Sequence, residues 1–470
     1  MIFFGTDGWR AKLDLEINEE SVAVVAQAFA DYVKNNAIDN KRIAIAYDGR
    51  RKSEDFAILF TKVLSANDIE VILADRITPT PVLSYTVVCR CCFAGVMLTA
   101  SHNPPVYNGI KFKAAYGGPF SLEQTREVEG LLYKTKPVID EHQPRKYNLL
   151  GDYVKHVEQL IDFESIRKAN LQIVIDSMGG AGGLIIEDIL RKHDILAKTI
   201  YGEAKDDFYG RLPEPIADNL KPLSDVLKED KYAMGVATDG DADRLGVCLD
   251  TGDFLSAQTT ILLLVDYLKR VRHLSGAIVH TSSVTGLLRK HFLDKETPVY
   301  DVQVGFKYIT DIMVREDVCF GGEESGGFGY GIHIPERDGI FSALLFLEML
   351  SVQGYKKLSE YVKDREKELG KVCYSRIDAH CEREDRSELL PRLVERNLSF
   401  VGLYKVDNVQ TFLSSRGVVN GIKYVFEGDC RWLLIRASET ENIVRYYAEG
   451  QTDEEVKELL SLGQSVVNNL

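Results

Sequence analysis

A serine in a short polar loop, Thr99-Ala100-Ser101-His102-Asn103-Pro104, follows the apolar run Ala94 to Leu98. The end of such a run is where an α/β sheet presents chemistry. A serine hydroxyl is a weak nucleophile until a base, a cation or a preloaded group changes its character, so Ser101 needs partners from elsewhere in the chain. Three later segments offer them. Asp239-Gly240-Asp241-Ala242-Asp243-Arg244 carries three carboxylates on alternate residues, Gly322-Glu323-Glu324-Ser325-Gly326-Gly327 carries hydroxyl-binding groups, and Arg436-Ala437-Ser438-Glu439-Thr440-Glu441 carries an anion clamp.

The aspartates directly follow the apolar stretch Ala233 to Ala237, which sets them apart from an ordinary acidic surface turn. A few carboxylates that share an ion with a phosphate suit Mg²⁺. An EF-hand loop is excluded, because Arg244 stands where that loop requires glycine for its sharp turn and Asp250 stands at its glutamate position.

Buried strands must position these loops. Ile43 to Asp48, Gln172 to Asp176 and Ala277 to Thr281 are apolar runs that end in a polar turn, as strands covered on both faces do. Each is followed by a second apolar run that enters a motif: Ala94 to Leu98, Ala233 to Ala237, and Val318 to Gly321. The pattern predicts a threefold structural repeat. Helical spacing of Val22, Val25, Ala26, Phe29 and Val33 follows a start at Asn18, and Leu262 to Arg272 and Phe341 to Ser351 also read as helices. Tyr153 to Ile161 reads as a helix joining the first two units, and Lys356 to Lys371 as one entering the last. From Val372 the pattern changes to short strands and a final helix, opened by a capping box at Thr452-Asp453-Glu454-Glu455.

At 470 residues the chain exceeds one hydrophobic core, and about 150 residues per domain gives three or four units. The expected architecture is α/β: three similar α/β domains with mixed sheets plus a C-terminal α+β domain, around one central cleft. The expected boundaries are 1–150, 151–254, 255–370 and 371–470. A net charge of −14 argues against nonspecific nucleic-acid binding, and no basic block suggests a membrane surface. The longest purely aliphatic stretch, Ile261 to Val265, is far too short to span a bilayer, so the expected location is cytoplasmic. Eight scattered cysteines fit a reducing compartment, and Cys89-Arg90-Cys91-Cys92 lacks the second close pair of a zinc site. Gly179-Gly180-Ala181-Gly182-Gly183 lacks the G-x-G-x-x-G spacing of a dinucleotide fold.

The four motifs in this order, with Phe4-Gly5-Thr6-Asp7-Gly8-Trp9-Arg10 ahead of them, closely resemble the α-D-phosphohexomutases, the phosphoglucomutase and phosphomannomutase family. Supporting matches are Asp48-Gly49-Arg50, Thr78-Pro79-Thr80-Pro81, Asn108-Gly109-Ile110-Lys111, Val304-Gly305-Phe306-Lys307 and Pro335-Glu336-Arg337-Asp338-Gly339. The resemblance covers essentially the whole chain. It implies that Ser101 is a phosphoserine and that Asp239, Asp241 and Asp243, with its phosphate, hold one Mg²⁺ per chain. It implies catalytic roles for His102, Lys111, Arg244 and Arg10, with Lys111 and Arg244 as candidates for proton movement and charge stabilisation. Glu323 and Ser325 match the sugar loop. Arg436, Ser438 and Thr440 match a clamp for the non-reacting phosphate, assisted by Arg445, with Lys307 and Arg337 adding charge.

The implied reaction interconverts glucose 1-phosphate and glucose 6-phosphate through glucose 1,6-bisphosphate, which also serves as activator. Gly-Glu-Glu-Ser favours glucose over mannose, pentose or glucosamine phosphates, and a noncatalytic phosphosugar-binding protein is the rival from another class. A monomer or homodimer is expected, with movement of the last domain as a gate. Two departures stand out, since Glu439 replaces a frequent glycine and Asn442 a frequent proline. Two milder ones are Ala11 for a glycine and Gly327 where some relatives carry histidine.

Overall fold

A computed structural model describes every residue except 1, 6, 39, 230, 382–385, 415–416 and 439–441, and no side chain is described at 386–387. The first unit is a six-stranded mixed sheet in the order Trp9–Lys12, Tyr107–Ala114, Ala94–Leu98, Arg42–Tyr47, Glu70–Ala74, Lys146–Tyr147. Its centre is parallel, and Tyr107–Ala114 returns antiparallel beside Ala94–Leu98. The second unit repeats the plan: Ile173–Asp176 lies parallel to Ala197–Ile200 and Met234–Thr238, and Leu245–Leu249 returns antiparallel. In the third, Ala277–Thr281 lies parallel to Val299–Val302 and Val318–Gly322, and Phe328–Tyr330 returns antiparallel.

The expected repeat is therefore real, and its functional part is the hairpin. In each unit the loop between a buried parallel strand and its antiparallel return is one of the polar motifs: 99–106, 239–244 and 323–327. The buried strand is apolar because helices cover both faces, so the polar residues gather where it ends. The C-terminal unit differs, as expected. Its six strands, from Cys373–His380 to Ile443–Gly450, pair only antiparallel and pack against the helices Arg386–Glu395 and Asp453–Asn468.

One hydrophobic core runs from Ile2 to Leu369 through the first three units, whereas the C-terminal unit has a core of its own. Polar bridges join the two bodies: Lys423 to Asp301 at 3.0 Å, Glu449 to the Gly286 N–H at 2.8 Å, and Arg376 to Glu324 at 3.1 Å. The helix Gly339–Val352 is apolar all round and buried almost throughout, as a helix at the centre of a large core must be.

Local signals in the chain are met with small differences. Asn18 caps Glu19–Asn36 through a capping box with Ser21. Thr452 caps the last helix, but the Glu455 carboxylate takes the Gln451 N–H, so the box expected there is only half formed. The helix that starts at Ala257 ends in a π-helical turn over Tyr267–Val271. All eight cysteines are free; Cys89 and Cys91 are exposed, and burial pushes the Cys92 thiol up to about 12. No helix among the described residues is long and apolar enough to cross a membrane.

Candidate active site

Ser101 sits at the end of the first hairpin with a left-handed backbone, φ 53°, and is buried. An L-residue pays for that conformation, and the loop holds it in place. Arg50, paired with Asp48 at 3.2 Å, donates to the Ser101 carbonyl at 2.6 Å and the Asn103 carbonyl at 2.6 Å. Thr99 accepts from the Ser101 N–H at 2.8 Å and donates to Asp48 at 2.6 Å. The hydroxyl that emerges donates to Asp239 Oδ2 at 3.0 Å, 138 residues away in sequence, with His102 Nδ1 at 3.4 Å.

The second hairpin brings Asp239, Asp241 and Asp243 together, fully buried, with one oxygen from each within 4.8 Å of the others. Close approach requires Gly240, whose added Cβ would lie 2.3 Å from the Ser101 carbonyl oxygen. Ala242 turns the loop with φ 60°. Burial and the two neighbouring aspartates push the Asp239 carboxyl well above the usual range. Burial opposes ionisation of Asp241 as well, but Lys111 and the Thr80 hydroxyl hold it low. Asp241 Oδ1 and Asp243 Oδ1 are buried without a hydrogen-bond partner. Buried polar atoms are normally satisfied, and hard oxygen donors with unused lone pairs fit a Mg²⁺ ion.

Cations surround this acidic centre. Lys111 Nζ lies 2.8 Å from Asp241, 3.1 Å from Asp243 and 3.1 Å from Asp7. Burial disfavours the charge on this ammonium, but Asp241, Asp243 and Asp7 outweigh it and push its pKa up. Arg337 reaches Asp7 at 2.6 Å and Asp243 at 2.8 Å, so its charge is committed within the network. Arg244 pairs with Glu214 at 3.2 Å, and Arg10 donates to Asn103 at 2.9 Å.

Beside the centre lies a cavity of about 1070 Å³ lined by all four units, including Arg10, His102, Arg244, Lys307, Glu323 and Ser325, whereas Ser101, Lys111 and the three aspartates are buried behind its lining residues. Arg337, Arg436 and Arg445 also line it. Burial pushes the Glu323 carboxyl up to about 7 although Arg337 and Arg244 pull it down; Glu324 and Asp243 add to the rise. The turn over 323–327 is fixed by Gly326, at φ 87°, whose Cβ would meet the Leu245 carbonyl oxygen at 2.5 Å. Ser438 follows the strand Trp432–Ala437 but is not among the residues lining the cavity. Thr440 and Glu439 lie outside the described residues.

Sequence reasoning quoted Asp7, Arg50 and Thr80 inside motifs without giving them a place in the site. Asp7 ties Lys111 to Arg337, and Thr80 donates to Asp241 Oδ2 at 2.6 Å. It missed Arg376 altogether, which lines the cavity, binds Asp378 through both ends of its guanidinium at 2.6 and 2.7 Å, and reaches Glu324 of the 323–327 loop. No local signal marks that residue, since its partner lies 52 positions away on another unit.

Comparison with known proteins covers nearly the whole chain. Family models match in order: Phosphoglucomutase/phosphomannomutase alpha/beta/alpha domain I over residues 1–138, domain II over 151–252, domain III over 256–369, and the C-terminal domain over 396–461. A Thermococcus kodakarensis protein named phosphoglucomutase/phosphomannomutase is 29% identical over 468 residues, 98% of this chain and 97% of its own. A Methanosphaera stadtmanae relative, provisionally designated a phosphoglucosamine mutase, is 28% identical over 99% of this chain and 98% of its own. A crystal structure from Thermus thermophilus, provisionally designated a phosphomannomutase, superposes with a TM-score of 0.85 at 32% identity, covering 99% of each chain.

Proposed function

Because the chain belongs to the phosphoglucomutase/phosphomannomutase family of phosphotransferring isomerases, we propose that it is a phosphoglucomutase, converting glucose 1-phosphate and glucose 6-phosphate through a glucose 1,6-bisphosphate intermediate. The observation that carries this reading is the 3.0 Å contact between Ser101 Oγ and Asp239 inside a buried three-aspartate centre whose chain neighbours His102 and Arg244 line a four-unit cavity. The units 1–150, 151–254, 255–370 and 371–470 supply phosphoserine loop, metal loop, sugar loop and distal phosphate clamp in turn. Eight unpaired cysteines favour a cytoplasmic setting.

The family is Mg²⁺-dependent and works through a phosphoserine. Asp239, Asp241, Asp243 and the phosphorylated Ser101 would hold Mg²⁺ here, and the ion supplies Lewis-acid stabilisation of charge on the transferring phosphoryl group. The chain's own groups do the rest. Phospho-Ser101, carrying about −1.5 to −2 charges, gives its phosphoryl group to the free sugar hydroxyl as the Ser101 Oγ–P bond breaks, the hydroxyl's proton ending on Ser101 Oγ; Ser101 Oγ then takes the phosphoryl group from the other end of the bisphosphate and its proton ends on the sugar oxygen released there. Arg10, Arg244 and Lys111 offset charge around the reacting oxygens. Glu323 and Ser325 take ring hydroxyls while Arg436, Arg445, Ser438 and Thr440 hold the phosphate that is not reacting. The C-terminal unit, with its own core and polar bridges, closes the cavity against water.

Glucose rests on the string Glu323-Glu324-Ser325. A phosphoglucosamine mutase is the second reading, favoured by the designation of the Methanosphaera relative. Rates on glucose, mannose, glucosamine and ribose 1-phosphates, with Mg²⁺ and the matching bisphosphate supplied, separate the readings. Glucose 1-phosphate should give the highest kcat/KM; glucosamine 1-phosphate in first place would replace the assignment.

The position of Glu323 sets a pH dependence. Only the carboxylate accepts two sugar hydroxyls, and it is lost as pH falls through about 7. KM should therefore fall as pH rises from about 6 to about 8, by up to tenfold. Substrate phosphate also titrates in this interval, so Glu323→Gln is the control: it should raise KM and flatten the Glu323 part of the profile. A profile identical in the two enzymes would remove Glu323 from sugar binding.

A further inference from the structure

Behind the metal loop, away from the cavity, a row of rings crosses the junction of the first three units. His156 stacks on Tyr85 at 4.4 Å, His333 on His156 at 5.0 Å, and Phe341 on His333 at 4.9 Å between ring centres. The ring edges form one hydrogen-bonded line. His156 Nε2 lies 3.0 Å from His333 Nδ1, His333 Nε2 lies 2.9 Å from Asp338 Oδ2, and the Tyr153 hydroxyl donates to the same oxygen at 2.7 Å. A carboxylate only accepts, so His333 donates through Nε2 and, when neutral, accepts through Nδ1 from His156. Burial and the neighbouring His333 hold His156 down to about 4.

This line ends on the metal loop twice. Asp338 Oδ1 accepts from the Phe341 N–H at 2.8 Å and so caps the helix Gly339–Val352. The first N–H of that helix, Gly339, donates to the Ala242 carbonyl at 3.1 Å, between Asp241 and Asp243. There is no room for slack, since a Cβ on Gly339 would lie 2.3 Å from the Arg244 carbonyl oxygen. Tyr85, at the other end of the row, belongs to the helix Thr80–Cys89, whose Thr80 N–H donates to the Asp241 carbonyl at 3.0 Å and whose hydroxyl donates to its side chain. Two helices grip the loop from two units, and both meet again at the histidine pair.

We propose that His333, oriented by His156, is a positioning residue for the metal loop: through Asp338 it fixes the helix start that sets the direction of the Asp241 and Asp243 carboxylates. The proposal rests on the reading of Asp239, Asp241 and Asp243 as the Mg²⁺ site. Outer partners of metal ligands typically change affinity by about 10- to 100-fold, and His333 acts on the loop one step further out.

Equilibrium binding of Mn²⁺, followed by the electron paramagnetic resonance of the free ion and competed with Mg²⁺, tests it in the full chain. His333→Leu should weaken binding about tenfold and lower kcat at fixed metal, with KM for the phosphosugar within threefold. His333→Gln, which returns a donor near Nε2, should recover most of the affinity. A lower melting temperature with wild-type metal affinity would mean a merely structural role and overturn the proposal. His156→Phe keeps the ring stack and removes only the donor to His333; it should weaken Mn²⁺ at least threefold, and unchanged affinity overturns the proposal even where His333→Leu fails to fold. Wild-type enzyme that binds no Mn²⁺ would instead refute the metal site itself.

Discussion

Ser101→Ala should abolish turnover, by on the order of 10³-fold or more, while leaving a folded protein that still binds phosphosugar. The two threonine hydroxyls nearest to it in this network are already engaged. Thr99 is committed to Asp48 and to the Ser101 N–H, and Thr80 donates to Asp241. The fold should survive because alanine inherits the left-handed backbone already held by Arg50, and Asp239 keeps the N–H groups of Asp243 at 2.9 Å and Arg244 at 3.1 Å. The lost hydroxyl contact is worth about 1 kcal/mol or less. A dehydrogenase-coupled assay for glucose 6-phosphate gives the rate, and intact mass after incubation with the bisphosphate reports phosphorylation. Wild-type enzyme should gain one phosphoryl group and the alanine variant none. Substantial turnover by the variant would take Ser101 out of the mechanism, and wild-type enzyme that binds phosphosugar without turnover would favour the noncatalytic alternative.

What could be read from the chain is tied to where its polar residues fall. The three loops 99–106, 239–244 and 323–327 stand out because each interrupts a buried strand and its return, so chemistry and hydrophobic pattern change at the same place. The strands themselves were located within a residue or so, since strands covered on both faces need unbroken apolar runs. Contacts across units were not legible. Asp7 and Arg337 lie 330 positions apart and His156 and His333 lie 177 apart, and no period links either pair. The charge around a residue was equally hidden: Lys111 reads in sequence as a candidate for proton movement or charge stabilisation, and no spacing shows the three carboxylates that surround its Nζ. The half-formed cap at Thr452 shows the same limit on a small scale, because Glu455 had a choice of N–H partners.

Those carboxylates also fix the second large effect. Lys111→Met should destabilise the metal-free enzyme by about 3 to 5 kcal/mol, because it leaves buried negative charge without its closest partner. Arg337 still contacts Asp7 and Asp243 and acts on Asp241 from farther away, but Lys111 is the cation in direct contact with Asp241 among the described residues. Asp239, in the same buried carboxylate cluster, already sits where burial and its two neighbours disfavour ionisation, so removing a cation pushes the remaining carboxyls towards protonation rather than mutual repulsion. A divalent ion bound by the same aspartates compensates part of the loss. The melting transition of the variant should thus fall well below that of the wild type in chelator and recover more than the wild type does when Mg²⁺ is added. Equal melting temperatures in chelator would show that Lys111 contributes little to the buried network, and equal Mg²⁺ responses would show that lysine and ion do not share the aspartates. Activity should drop as well, since the ammonium lies between the metal loop and the Asp7–Arg337 pair and orders both for phosphoryl transfer.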